Sequence, residues 1–157
     1  MPSTYTKIAA TTLTSNSTTV TFTSLSSDYT DLIIVVHAKR DTGSSANALM
    51  TFNNDTSSNY LRAYFGRGTS TIERGTDTQA GNTIWLSTTW ATYHLEVYQY
   101  SATDRFKHVN IWHGSQGIFG NGQVWKSTSA ISTITFNTST NNFASGSTFS
   151  IYGIKAA

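Results

Sequence analysis

Thr19-Val20-Thr21-Phe22-Thr23 alternates hydroxyl and apolar residues, and that period of two decides the fold. A strand sends successive side chains to opposite faces, so Val20 and Phe22 share one face and the threonines the other. The same beat returns in Tyr93-His94-Leu95-Glu96-Val97-Tyr98 and in His108-Val109-Asn110-Ile111-Trp112. In Ile131-Ser132-Thr133-Ile134-Thr135-Phe136-Asn137 it places Ile134 and Phe136 on one side. Threonine and the aromatics fit a pleated, half-buried surface, whereas the strong helix formers are sparse here.

Leu32-Ile33-Ile34-Val35-Val36 departs from alternation and is apolar on both faces. Such a run predicts a strand in the middle of a sheet, covered on both sides. Asn-, Asp-, Ser- and Gly-rich turns punctuate the chain, among them Ser15-Asn16-Ser17, Asp41-Thr42-Gly43, Asn53-Asn54-Asp55, Gly66-Arg67-Gly68 and Gly120-Asn121-Gly122. Expected strands are 4–9, 18–24, 31–39, 47–53, 59–65, 83–87, 92–100, 106–113, 122–127, 131–137 and 147–154. About ten short strands at this spacing predict an all-β fold, an antiparallel β-sandwich with jelly-roll-like connections. Residues 1–157 read as a single β-sandwich domain, with 1–5 as an N-terminal arm. Gly66–Gly81 is the longest expected loop.

Composition removes several functions. Ser and Thr together make up 49 of 157 residues, charged residues are 11%, and the formal net charge is +2. There is no cysteine, hence no thiolate nucleophile, thiolate metal ligand or disulfide. Without a strong basic field, DNA binding by counterion release is not expected. No apolar run approaches the roughly 18 residues a membrane helix requires, and the first residues lack the apolar stretch of a secretory signal. Leu, Ile, Val and Phe supply only about a fifth of the chain, near the disorder boundary. Low net charge and 13% aromatics tip the balance towards a folded domain.

The chemistry-bearing residues are few. The carboxylates are Asp28, Asp31, Asp41, Asp55, Glu73, Asp77, Glu96 and Asp104. Glu96 alone lies inside an expected strand, and hydrolysis of a glycoside would need a second carboxylate across a cleft. His37, His94, His108 and His113 form no metal-ligand spacing. His108 and His113 are expected on opposite strand faces. Asn53-Asn54-Asp55-Thr56 could ligate calcium through oxygens, but reads first as a turn. No cofactor, metal or catalytic residue is expected. The tryptophans are Trp85, Trp90, Trp112 and Trp125. If Val109 and Ile111 face the core, Trp112 faces outward with His108 and Asn110, as a contact surface for protein or sugar.

The ending Gly146-Ser147-Thr148-Phe149-Ser150-Ile151-Tyr152-Gly153-Ile154-Lys155-Ala156-Ala157 resembles the close of a β-rich structural protein family of tailed-bacteriophage virions. Tyr5-Thr6-Lys7-Ile8-Ala9, Tyr29 to Val35 and Phe52 to Tyr60 are similar to the same family. The resemblance implies a jelly-roll-like virion building block without catalytic residues. The expected function is therefore non-enzymatic: a capsid decoration (cement) protein, a homotrimer on the capsid surface of the virion, assembled in the host cytoplasm. Its partner would be the major capsid protein, with no nucleic acid and no membrane. Docking is assigned to Pro2, Ser3, Thr4, Tyr5, Lys7 and Trp112. The alternatives are a tail, fibre or baseplate accessory protein, and a carbohydrate-binding β-sandwich module in which Trp112 or Trp125 stacks on a surface glycan. A glycan-cleaving enzyme relying on Glu96 is the third.

Overall fold

A computed structural model describes residues 5–43, 46–66, 72–113 and 119–155. Among these, every regular element is a β-strand. In chain order they are β1 (Thr6–Thr12), β2 (Thr19–Phe22), β3 (Asp31–Ala38), β4 (Ala46–Phe52), β5 (Tyr60–Gly66) and β6 (Glu73–Asp77). There follow β7 (Ala80–Leu86), β8 (Ala91–Tyr98), β9 (Lys107–His113), β10 (Phe119–Trp125), β11 (Ile134–Thr138) and β12 (Thr148–Ile154). They build two antiparallel sheets. The larger has the order β1-β12-β3-β8-β9-β10-β5-β6, the smaller β2-β11-β4-β7. The expected all-β antiparallel sandwich is therefore the fold.

The period of two places the core between the sheets. Leu32, Ile34 and Val36 of β3, Tyr93, Leu95 and Val97 of β8, Val109 and Ile111 of β9, and Phe149 and Ile151 of β12 point inward. They meet Val20 and Phe22, Ala48, Met50 and Phe52, and Ile134 and Phe136 of the smaller sheet. Each such side chain contributes about 1.5–3 kcal/mol by leaving water, so these large residues carry the fold and the hydroxyls clothe it. Phe149 packs edge-on to Phe143 and tilted against Phe136, at ring separations of 5.1 and 5.4 Å.

Three expectations need correction. Among the described residues there are twelve strands, because the supposed loop from Gly66 to Gly81 contains β6 and the start of β7. Gly75 and Asp77 are poor strand signals by themselves, but β6 pairs along β5 and is pinned by the Arg62–Asp77 ion pair at 3.2 Å. Second, β3 is central as predicted, but only one face is covered by the other sheet. Ile33 and Val35 lie half-buried on the outside, between β12 and β8. Third, Trp125 is in the core, 2% exposed, and cannot stack on a sugar. Of the expected N-terminal docking segment, Lys7 lies in β1 opposite Tyr152 of β12, and Tyr5 stands exposed just before the strand. Pro2, Ser3 and Thr4 lie outside the described residues, as do Ala156 and Ala157.

The turn after β4 shows how polar residues fasten the sandwich. Asn53 and Asn54 adopt left-handed backbone, φ 50° and 58°. Asn53 Oδ1 accepts from the amides of Ser132 and Thr133 at 2.9 and 3.1 Å, and its Nδ2 donates to Ala130 O at 2.8 Å. Asp55 accepts from Trp125 Nε1 at 2.7 Å, Ser57 N at 2.9 Å and Asn59 Nδ2 at 3.0 Å. Burial alone would raise its pKa, but the bonds from Asn59, Trp125 and Ser57 win and hold it at about 2. This stretch is the turn that its composition predicted.

Candidate functional site

The outer face of the larger sheet gathers the chemistry. It is built by the outward-facing alternate positions of its strands. On β8 these are Thr92, His94, Glu96 and Tyr98; on β9, His108, Asn110 and Trp112. Register aligns them across the sheet. Ser150, Val35, His94 and Trp112 form one row, with Gly120 beyond. Tyr152, Ile33, Glu96 and Asn110 form the next, ending at Gly122 and Ala63. Tyr98, His108, Val124 and Leu61 form the third.

Trp112 stands out from this surface, 46% exposed, as the alternation of β9 predicted. Beside it the floor drops, because Gly120 and Gly122 occupy outward positions of β10. A glycine within a strand marks a place where something else approaches closely. The resulting trough, about 290 Å³, is lined by Leu61, Arg62, Ala63, His108, Gly122, Gln123 and Val124. A Cβ on Gly122 would lie 3.9 Å from His108 Nε2 and would raise that floor.

A hydrogen-bonded triplet stands on the same face. Tyr98 donates its hydroxyl to Glu96 Oε2 at 2.6 Å, and Asn110 Nδ2 donates to the Tyr98 oxygen at 3.5 Å. The Tyr98 ring packs tilted against His108, centroids 5.7 Å apart. The bond to the Glu96 carboxylate, then burial, then that same negative charge push the Tyr98 phenol above its usual pKa. The pair thus holds its proton on oxygen between two side chains of one strand. Asp31, at the margin of this face, accepts from the Gln99 amide at 2.7 Å.

The other tryptophans diverge. Trp90 is 40% exposed but clamped: His37 stacks on it at 5.1 Å and 6°, and Lys39 Nζ sits 5.0 Å from its ring. Trp85 lies half-exposed on the opposite side of the sandwich, on β7. Trp125 packs inside with Lys107 Nζ 6.0 Å from its ring. Lys107 is fully buried and donates to the carbonyls of Arg105, Thr128 and Ser127 at 2.8, 3.0 and 3.4 Å. Burial pushes its pKa down. A lysine at an inward strand position was the available signal for this pin.

His108 and His113 do fall on opposite faces, His113 inward and 6% exposed. Among the described residues, no group of three or more His, Cys, Asp or Glu side chains could hold a metal ion. Of the sequence-predicted docking residues, Trp112 is on the site face, while Tyr5 and Lys7 belong to β1 and the segment before it, at the far edge of the same sheet. The Glu96–Tyr98 pairing and the glycine trough were missed. Their signal was an i, i+2 spacing on one strand and Gly-x-Gly at outward positions of β10.

No family model and no curated protein matches this chain. Among solved structures, it is similar to a double mutant of an alginate lyase in complex with alginate trisaccharide. The TM-score is 0.38 and the identity 10%, covering 96% of this chain and 78% of that one. No residue role is carried over from it. The comparison returns an alginate lyase and not a virion protein. The reading as a phage capsid decoration protein, and with it the statement that the chain is not an enzyme, is withdrawn on that finding.

Proposed function

We propose that this chain is a carbohydrate-binding β-sandwich, seating a glycan on the outer face of its larger sheet. One observation carries the reading: an exposed Trp112 shares an outer sheet face with a trough at Gly122, among side chains that both donate and accept hydrogen bonds. A sugar offers an apolar ring face ringed by hydroxyls. An indole takes the ring face, while amide, imidazole and carboxylate groups such as Asn110, His108 and Glu96 take the hydroxyls. Ile33 and Val35 extend the apolar strip along the same face. We also read the strand order as a jelly roll. Without the inserted β5–β6 and β9–β10 hairpins, β1-β12-β3-β8 faces β2-β11-β4-β7. The second insertion supplies half of the binding face.

The test is titration calorimetry and affinity electrophoresis against a panel of soluble polysaccharides. Saturable binding lost in Trp112→Ala, with melting unchanged, is the expected outcome. Wild-type protein that binds no glycan, or a Trp112→Ala variant binding as wild type does, overturns it.

The Glu96–Tyr98 bond favours a second reading, glycan cleavage at the same face. The Tyr98 hydroxyl donates to the Glu96 carboxylate at 2.6 Å, and a carboxylate so placed on an exposed face is a candidate proton acceptor. New reducing ends or unsaturated products released by wild type and abolished in Glu96→Gln support it. Their absence, with binding intact, leaves a binding module.

A further inference from the structure

Among the described residues, Arg40 is a buried cation with no ion-pair partner. It follows β3 and is held by its backbone, which donates to Ser87 O at 2.8 Å and bridges to Phe143. The residue is 2% exposed. Nη2 reaches the Thr140 hydroxyl at 3.4 Å, while Nε and Nη1 are enclosed with no hydrogen-bond partner. The ion pairs among the described residues are Arg62–Asp77 and Arg105–Asp104, neither of which touches it. Neighbouring Asp41 is committed elsewhere, accepting from Asn142 Nδ2 at 2.6 Å, Asn142 N at 3.1 Å and Asn16 Nδ2 at 3.2 Å. Lys107 is equally buried but satisfied by three carbonyls, and Arg62, whose Nε also lacks a partner, has its charge met by Asp77. An unpaired charge inside a protein is among the costliest arrangements in folding, and a guanidinium is built to receive a planar or tetrahedral oxyanion.

Arg40 also stands behind the wall of an open depression. Thr140, its one side-chain hydrogen-bond partner, lines a trough of about 340 Å³ together with Ala46, Asn47, Trp85 and Ser139. Asn47 and Trp85 face each other across the β4–β7 register. Gly43, φ 82°, closes in from behind. A Cβ there would meet Asn141 Nδ2 at 2.6 Å and Arg40 Nη2 at 3.4 Å.

We propose that Arg40 and Thr140 form an oxyanion site at the end of the Trp85 trough, taking the carboxylate or sulfate of an acidic sugar residue whose ring lies on Trp85. Without an anion the Thr140 oxygen accepts from Arg40. As the anion enters, the Thr140 side chain turns aside, and the anion accepts hydrogen bonds from its hydroxyl and from the guanidinium donors. Only the sugar as carrier rests on the carbohydrate-binding reading; the oxyanion site stands without it.

The experiment is thermal melting and calorimetry with sodium sulfate, sodium glucuronate and neutral glucose, at constant ionic strength. Sulfate stabilises proteins generally by exclusion from their surfaces, so the quantity read is the difference between wild type and Arg40→Met. At a tenfold excess over Kd, sulfate and glucuronate are each expected to raise the melting temperature of wild type by about 3–5 °C more than they raise that of Arg40→Met. Trp85→Ala is expected to keep the sulfate effect and lose any preference for glucuronate. Equal shifts in wild type and Arg40→Met overturn the site. Glucose binding as well as glucuronate in wild type, or a Trp85→Ala variant that keeps its preference for glucuronate, overturns the acidic-sugar assignment. Should Arg40→Met not fold, Thr140→Val decides. Sulfate affinity about tenfold weaker upholds the site, and unchanged affinity overturns it. Loss of glycan binding in Trp112→Ala does not touch this result, so the two readings fail separately.

Discussion

The two outer faces of the sandwich dispose of their polar groups differently. On the smaller sheet the outward positions include Thr19 and Thr21, Thr51, Thr135 and Asn137, with Leu49 opposite Asn137. Their polar groups bond one another: Thr19 Oγ1 donates to Asn137 Oδ1 at 2.9 Å, and Thr21 and Thr135 hydroxyls meet at 3.2 Å. On the larger sheet the outward positions of β8 and β9 are mostly His, Glu, Tyr, Asn and Trp, and part of their capacity faces solvent. The lesson is that hydroxyl richness is not by itself a binding signal. Where hydroxyls pair with each other they finish a surface, and where the pattern is broken by larger mixed groups a partner can be held. The exception on the smaller sheet's side is Trp85 with the nearby unpaired Arg40.

The largest effect separates core from face. Trp125→Ala is expected to lower stability by about 3–5 kcal/mol in urea unfolding, since the indole is enclosed and its N–H bonds Asp55. If glycan binding fell while stability held, Trp125 would have to be a contact residue and the division would break. Trp112→Ala comes next: affinity down about 30-fold, matching the roughly 2 kcal/mol of a hot-spot tryptophan, with stability within about 0.5 kcal/mol.

Acid probes the frame shared by both faces. The folded pKa of Asp55, about 2, lies below the roughly 3.9 of an unfolded aspartate. Its stabilisation is therefore complete above about pH 4 and is lost as pH falls towards 2. Melting temperature followed over that window should fall less steeply in Asp55→Asn, which starts from a lower value at neutral pH. Parallel curves would remove Asp55 from the frame. The smallest effect is on the quiet face. Thr135→Val is expected to change stability by less than about 1 kcal/mol and leave glycan affinity unchanged, because the partner hydroxyl of Thr21 is exposed enough to bond water. A large loss of binding there would merge the two faces.

Much of this was legible in one dimension. The alternation in Thr19–Thr23 and Tyr93–Tyr98 settled strand type and inward residues, and the β9 pattern put Trp112 outside. β6 was illegible, because Arg, Gly and Asp in a strand acquire meaning only from the partner that Arg62 provides. The fate of Trp125 was illegible too. A tryptophan ending a glycine-rich strand reads equally as platform or core until Asp55 and Lys107 are seen beside it.

What the sequence determined by itself was periodicity, and with it the all-β class, the inward set and the outward set, because the face a side chain takes is a local property of the extended backbone. What only the tertiary structure decided was adjacency across the sheet. Glu96 beside Asn110, Gly122 beside Asn110, Arg40 behind Thr140 and, among the described residues, no carboxylate paired with Arg40 all depend on strand order and register. Those are set by how the whole chain closes its core, and no single strand encodes them.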